Sequence, residues 1–296
     1  MFGSHLSIAG GLHNALIEAR ALKMDCVQVF TKNQRQWSAP PLKREDIALW
    51  RHHRQATRIK VVVSHDSYLI NLASPAPGNW QRSVALFRDE LERCEALEIP
   101  LLVMHPGAHM GAGEPAGLAR VARALNQLHQ DLPGYRTITC LEVTAGQGTS
   151  LGRRFEEIRQ IIDQVHQPQR LAVCLDTAHL LEAGYDLTSA AGMQATLEEL
   201  DDVLGLKLVR AIHINDSKTP RGSRVDRHEH IGKGHVARAA FQVLVRHRQF
   251  QQVPKILETP KEDAPSGQPW DVVNLRSLRR LLQPQARKSC NGPKKH

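Results

Sequence analysis

Residues 171–179 read LAVCLDTAH. Five apolar positions in succession, without polar alternation, suit a β-strand covered on both faces. The run closes on a carboxylate, Asp176, and a histidine, His179, follows three residues later. The same grammar recurs along the chain. Candidate strands are Gly3–Ile8, Cys26–Phe30, Lys60–His65, Leu101–His105, Thr137–Glu142, Leu171–Asp176, Val209–Ile214 and Lys255–Thr259. Between them the apolar period changes to that of an amphipathic helix. Val84, Phe87, Leu91 and Cys94 share one face, as do Phe155, Ile158, Ile162 and Val165, and Met193, Leu197, Leu200 and Leu204. Further helix candidates cover 12–23, 43–57, 115–131, 236–247 and 271–282. Eight strand-then-helix units predict an α/β fold, a single (β/α)8 TIM barrel over residues 1–284. An open doubly wound sheet is the alternative, because sequence does not show closure.

The bulk numbers agree with one domain. A (β/α)8 barrel runs to about 250 residues, so 296 leave room for loops and a tail. No run of about 18 apolar residues occurs, so no membrane span is expected. MFGSHLSIAGG lacks a charged segment followed by a long apolar one, so no signal peptide is expected. The five cysteines are scattered, with no CxxC pair, which argues against a disulfide framework or a thiolate zinc site. A cytoplasmic location is the expectation. The net charge of +9 leans toward a polyanionic partner. Part of it lies at Arg287, Lys288, Lys294 and Lys295, in a basic tail (285–296) expected to be disordered.

Polar residues fall at one place in the repeated pattern. Strand candidates end in His65, His105, Glu142, Asp176 and Glu258, and His213 lies near the end of another. In a barrel these ends meet at one rim, where barrel active sites are built. His179 follows Asp176 closely. Asp226 and His228, in the long polar loop from Asp216 to Gly234, face the same side if that segment is extended. Taken singly, each has an ordinary reading. A histidine can be a hydrogen-bonded structural residue, a glutamate can pair with a barrel Arg or Lys, and Asp176 can cap the following turn. Together, several charges in one concave space are unfavourable unless a cation compensates. Five histidines and four acids without thiolate suit catalytic zinc or manganese. Nine donors exceed one tetrahedral ion and suffice for two or three, with one carboxylate bridging. His5, His109 and His230 lie where they could support a ligand.

At these residues the chain closely resembles the endonuclease IV family of apurinic/apyrimidinic endonucleases. The matching segments are GSHLSIAGGL, FTKNQRQW, SHDSYLINLASP, HPGAHMG, LEVTAGQGTSLG, CLDTAHLLEAGYD, HINDSKTPRGSRVDRHEHIGKG and ILETP, spanning residues 3–260. The resemblance implies three Zn2+ ions, with Mn2+ possible in one position. His65, His105 and Glu142 would hold the first. Glu142 would be shared with the second, joined by Asp176, His213 and Glu258. His179, Asp226 and His228 would hold the third. It implies incision 5′ to abasic sites in double-stranded DNA, trimming of blocked 3′ ends, and Glu142 and Glu258 as catalytic carboxylates. Arg35 would wedge into the base stack, with Tyr68 and Leu69 filling the gap left by a flipped nucleotide. Val143 stands where the family usually has Asn, and Lys233 where an acid is common.

Two other readings stand beside this one. Metal-dependent sugar isomerases use related barrels, and a non-catalytic damage-binding module would bind without turnover. The NQRQW and DSYLIN loops and the positive charge argue against the first, and the full ligand set argues against the second. The sequence does not set the oligomeric state; a monomer is the expectation.

Overall fold

The computed structural model describes residues 1–283. The tail expected at 285–296, and Cys290 within it, lie outside the described residues. The chain order is β1 Phe2–His5, α1 His13–Ala21, β2 Cys26–Val29, α2 Arg44–Thr57, β3 Val61–His65, α3 Pro77–Ala96, β4 Leu101–Met104, α4 Glu114–Asp131 and β5 Ile138–Glu142. It continues with α5 Phe155–Asp163, β6 Leu171–Asp176, α6 Thr177–Ala183, α7 Ala190–Val203 and β7 Val209–His213. A short ribbon, β8 Asp216–Ser217 with β9 His228–Glu229, precedes α8 Arg238–Arg246, β10 Lys255–Leu257 and α9 Trp270–Leu282.

Eight parallel strands close in the order β1-β10-β7-β6-β5-β4-β3-β2, so the barrel prevails over the open sheet. β8 and β9 pair antiparallel outside it, within the loop that sequence reads as irregular.

The core has two compartments. The larger lies between the barrel wall and the helices. There α5 buries Phe155, Ile158, Ile161 and Ile162, and α3 buries Val84, Phe87, Leu91 and Cys94. Each such side chain contributes roughly 1.5–3 kcal/mol when fully buried. Trp50 of α2 is also buried there, and its indole N–H donates to the Leu97 carbonyl at 2.9 Å. The smaller compartment lies inside the barrel: Val63, Leu101, Val103, Cys140, Ala172, Cys174 and Ala211.

Among the described residues, α6 is the α-helix that sequence periodicity misses. Its seven residues are too few to show a face. Gly184 ends it at φ +119°, with Gly184 N–H bonded to Leu181 O at 3.1 Å and Tyr185 N–H to Leu180 O at 3.0 Å. This reversal needs a left-handed residue, which glycine supplies without a Cβ clash. It turns the chain sharply after His179 has been presented to the rim.

Candidate metal centre

Glu142 closes β5 with its carboxylate fully buried at the centre of the rim. Its Oε2 lies 3.1 Å from His65 Nε2 and 3.2 Å from His105 Nε2. Its Oε1 lies 2.8 Å from His213 Nδ1 and 3.2 Å from His179 Nδ1. His213 Nδ1 also faces Glu258 Oε2 at 3.1 Å and Asp176 Oδ2 at 3.8 Å. On the far side, His179 Nε2 lies 3.3 Å from Asp226 Oδ2 and 3.4 Å from His228 Nε2. His228 Nε2 is 3.5 Å from Asp176 Oδ2. The fold thus brings all nine residues singled out in the sequence to one place. Three of the resulting groups capable of holding an ion are His65–His105–Glu142, Glu142–Asp176–His213–Glu258 and Asp176–His179–His228.

Local structure aims these donors. Asp176 caps α6, its Oδ1 accepting from the backbone N–H groups of Ala178 at 2.7 Å and His179 at 3.0 Å. His179 Nδ1 must be the protonated nitrogen, because it donates to the Val143 carbonyl at 3.0 Å; Nε2 is left as a donor for an ion. The contact uses only the backbone of Val143, whose side chain is buried in the core, so the Asn-to-Val departure leaves it in place. The other departure, Lys233, is exposed on its loop.

Sequence reasoning misses the residues that hold the ligands. Gln28 of β2 is fully buried, with its amide nitrogen 2.6 Å from Glu258 Oε1 and its amide oxygen 2.9 Å from His213 Nε2. The amide oxygen only accepts, so His213 carries its proton on Nε2 and turns Nδ1 toward the carboxylates. Asn215 donates to Asp176 Oδ2 at 2.7 Å and accepts from the Glu258 N–H at 2.7 Å. The signal for Gln28 is strand parity: it stands two residues after Cys26, on the same inward-facing row.

Of the three supporting histidines expected, His5 reaches the site, with Nδ1 3.0 Å from Gln28 Nε2 and 3.8 Å from Glu258 Oε1. The other two make their contacts elsewhere. His109 accepts from the Gly113 N–H at 3.2 Å and organises its own turn. His230 stacks on Trp270 with ring centroids 3.9 Å apart and meets Asn274 at 3.2 Å.

The electrostatics follow from burial against pairing. Burial alone depresses an imidazole, yet Asp66 and Glu142 beside His65 lift it well above its usual range. His179 is lifted likewise, against burial, by Asp176, Asp226 and Glu142. Burial pushes Glu142 up, but His213 and His105 hold it well below the usual carboxylate range. Asp226 opposes burial through its contact with His179 and falls to about 2. Glu142, Asp226 and Glu258 are stabilised as anions by the neighbouring imidazoles, the role a divalent cation would share. Cys174 lies close to Glu142 and His213, but burial and the nearby Glu142 push its thiol well up, and a protonated thiol is a poor ligand. The donor set therefore fits divalent ions bound by imidazole and carboxylate.

Around this mouth the loops are exposed. Arg35 projects from the loop after β2, and Tyr68, 71% exposed, and the half-buried Leu69 stand on the loop after β3. Ser67 Oγ donates to the Gln34 carbonyl at 2.6 Å and joins the two loops. Trp37, Met110 and Val225 add exposed apolar surface on loops of the same rim. Among the described residues, no helix is long and apolar enough to cross a membrane.

Known proteins share this architecture. A family model for the xylose isomerase-like TIM barrel matches residues 16–281. The probable endonuclease 4 of Chloroflexus aurantiacus is 48% identical over 282 residues, covering 95% of this chain and 98% of that protein. The probable endonuclease 4 of Geobacter sulfurreducens is 43% identical over 291 residues, 98% of this chain and 97% of that one. Among solved structures, endonuclease IV from Thermus thermophilus superposes with a TM-score of 0.82 at 34% identity, covering 95% and 98% of the two chains. A D-tagatose 3-epimerase-like protein superposes at 0.69 with 19% identity over 95% and 96%, which shows a shared barrel and no more. Similarity to endonuclease 4 relatives over almost the full length, on the same barrel, means that this chain belongs to the endonuclease IV family.

Proposed function

We propose that this chain is a DNA repair hydrolase that cuts the phosphodiester backbone 5′ to abasic sites in duplex DNA, leaving a 3′-hydroxyl, and trims blocked 3′ ends. The observation that carries this reading is the gathering of nine imidazole and carboxylate donors around the buried Glu142, in a chain whose relatives are named endonuclease 4.

His65, His105 and Glu142 would hold one zinc, Asp176, His213, Glu258 and the shared Glu142 a second, and His179, Asp226 and His228 a third. When bound, such ions supply Lewis-acid charge that offsets the anionic diester and leaving alkoxide and makes water acidic enough to attack near pH 7. The side chains divide the remaining work by depth. Glu142, Asp176 and His213 are fully buried and fix the spacing of the site. Glu258, with 18% of its side chain exposed, faces the mouth, and Gln28 holds its Oε1. There it would orient the attacking water. Arg35 would wedge into the base stack, while Tyr68 and Leu69 cover the gap left by the displaced sugar. Kinking and unstacking a duplex step cost a few kcal/mol, and a missing base lowers that cost, so lesion choice follows from DNA mechanics.

The decisive experiment combines elemental analysis of the purified protein with incision of a duplex carrying one tetrahydrofuran abasic analogue. We expect three divalent ions per chain and a single cut 5′ to the analogue. An ion-loaded protein that leaves the duplex intact would refute the activity. Arg35→Ala is expected to weaken binding to the abasic duplex by about tenfold; unchanged affinity removes the wedge role and leaves the hydrolase reading standing.

A further inference from the structure

Glu182 lies on the last turn of α6, three residues after His179 and on the same helix face. It is fully buried. Its Oε1 accepts from Ser217 Oγ at 2.7 Å, Thr219 Oγ1 at 3.2 Å and the Arg227 backbone N–H at 3.2 Å. Its Oε2 is buried with no hydrogen-bond partner. A carboxylate oxygen of Glu182 lies within 4.8 Å of donor atoms on both His179 and Asp226. A buried carboxylate with one oxygen unpartnered is unfavourable as an anion unless a cation faces it.

We propose that Glu182 is a fourth protein donor to the ion that His179, Asp226 and His228 would hold, giving that position two imidazoles and two carboxylates. The inference rests on the three-ion reading above. It adds two consequences. A donor set richer in oxygen suits harder ions such as Mn2+ better than one with a single carboxylate. The ion also becomes coupled to the 217–227 segment, because the same carboxylate binds Ser217, Thr219 and the Arg227 N–H through its other oxygen.

Glu182→Gln separates the donor role from that of a loop anchor. The amide oxygen still accepts from Ser217, Thr219 and the Arg227 N–H, while the charge and the second oxygen are lost. The measurements are Zn2+ content per chain by elemental analysis and Zn2+ affinity by competition with a chromogenic chelator, on full-length protein. We expect three ions for the wild type and two for Glu182→Gln at equal free Zn2+, with the third bound at least about tenfold more weakly. Ser217→Ala, which removes one anchor and no donor, is expected to keep three. Glu182→Gln holding three ions at wild-type affinity overturns the inference and leaves the three-ion reading intact. A wild-type protein with two ions or fewer overturns that reading and this inference together.

Discussion

The inside of the barrel has two storeys, built on the same strands. The lower is apolar: Val63, Val103, Cys140, Cys174 and Ala211 interdigitate with almost no exposed surface. Two residues further along each strand's line come His65, His105, Glu142, Asp176 and His213. Side chains of a strand alternate between its two faces, so the next inward step after each apolar plug residue is a charged or ionisable one. One step of sequence thus separates packing from chemistry. The lower storey also serves the upper. A close-packed floor keeps water out from beneath, and lower local polarity strengthens each interaction above it.

Substitutions in the two storeys should therefore fail differently. The largest effect is expected from Glu142→Ala in the upper one. It removes the carboxylate facing four imidazoles, and we expect incision turnover to fall by about 10³-fold or more and ion content to drop. Steady-state kinetics with elemental analysis checks this; near-normal turnover would erase the distinction between the storeys. Gln28→Leu comes next. It leaves every expected ligand in place but frees Glu258 and His213, and a loss of about 10- to 100-fold in ion affinity or turnover is expected. In the lower storey, Val103→Ala should cost about 1–3 kcal/mol of stability by opening a cavity. Its turnover, measured well below the melting transition, should be unchanged; a large loss would mean that the floor positions the ligands as well as sealing them.

The smallest effect sharpens the contrast from outside the barrel. His129 of α4 is buried like His65 and His179 but has no carboxylate beside it. Burial and the nearby Arg170 push it down to about 4, whereas His65 is raised. A base with a depressed folded pKa stabilises the fold above the unfolded value near 6.5, and that stability is lost as pH falls from there to about 4. His129→Gln should remove this loss. Relative to wild type it should gain about 1–2 kcal/mol between pH 7 and pH 4, read from paired thermal melts.

Much of this was legible in the residues. Unalternating apolar runs marked all eight barrel strands, though they overshot several ends: Gly3–Ile8 pairs only through His5, and Lys255–Thr259 only through Leu257. Apolar side chains continue into the rim loops after ladder pairing stops, so hydrophobicity alone does not mark the boundary. Six of the nine candidate ligands stood out because a charge at the end of an apolar run is conspicuous; His179 follows one such end, and Asp226 and His228 stood out only as a pair in a long polar loop. Gln28 and Asn215 did not: strand parity gives only the inward direction of Gln28, and the role of both amides depends on neighbours from other strands. The β8–β9 ribbon was invisible because two-residue strands have no period. His109 and His230 lay near the right rim, but proximity in sequence did not give the direction of a ring.

The plugged floor carries a kinetic consequence. Among the described residues, Val63, Val103, Cys140 and Cys174 close the tube from below. Ions are then expected to enter and escape through the open mouth, the face where a duplex would lie. Chelator stripping should then be a hazard of the idle enzyme, and DNA held in the cleft should act as its stopper.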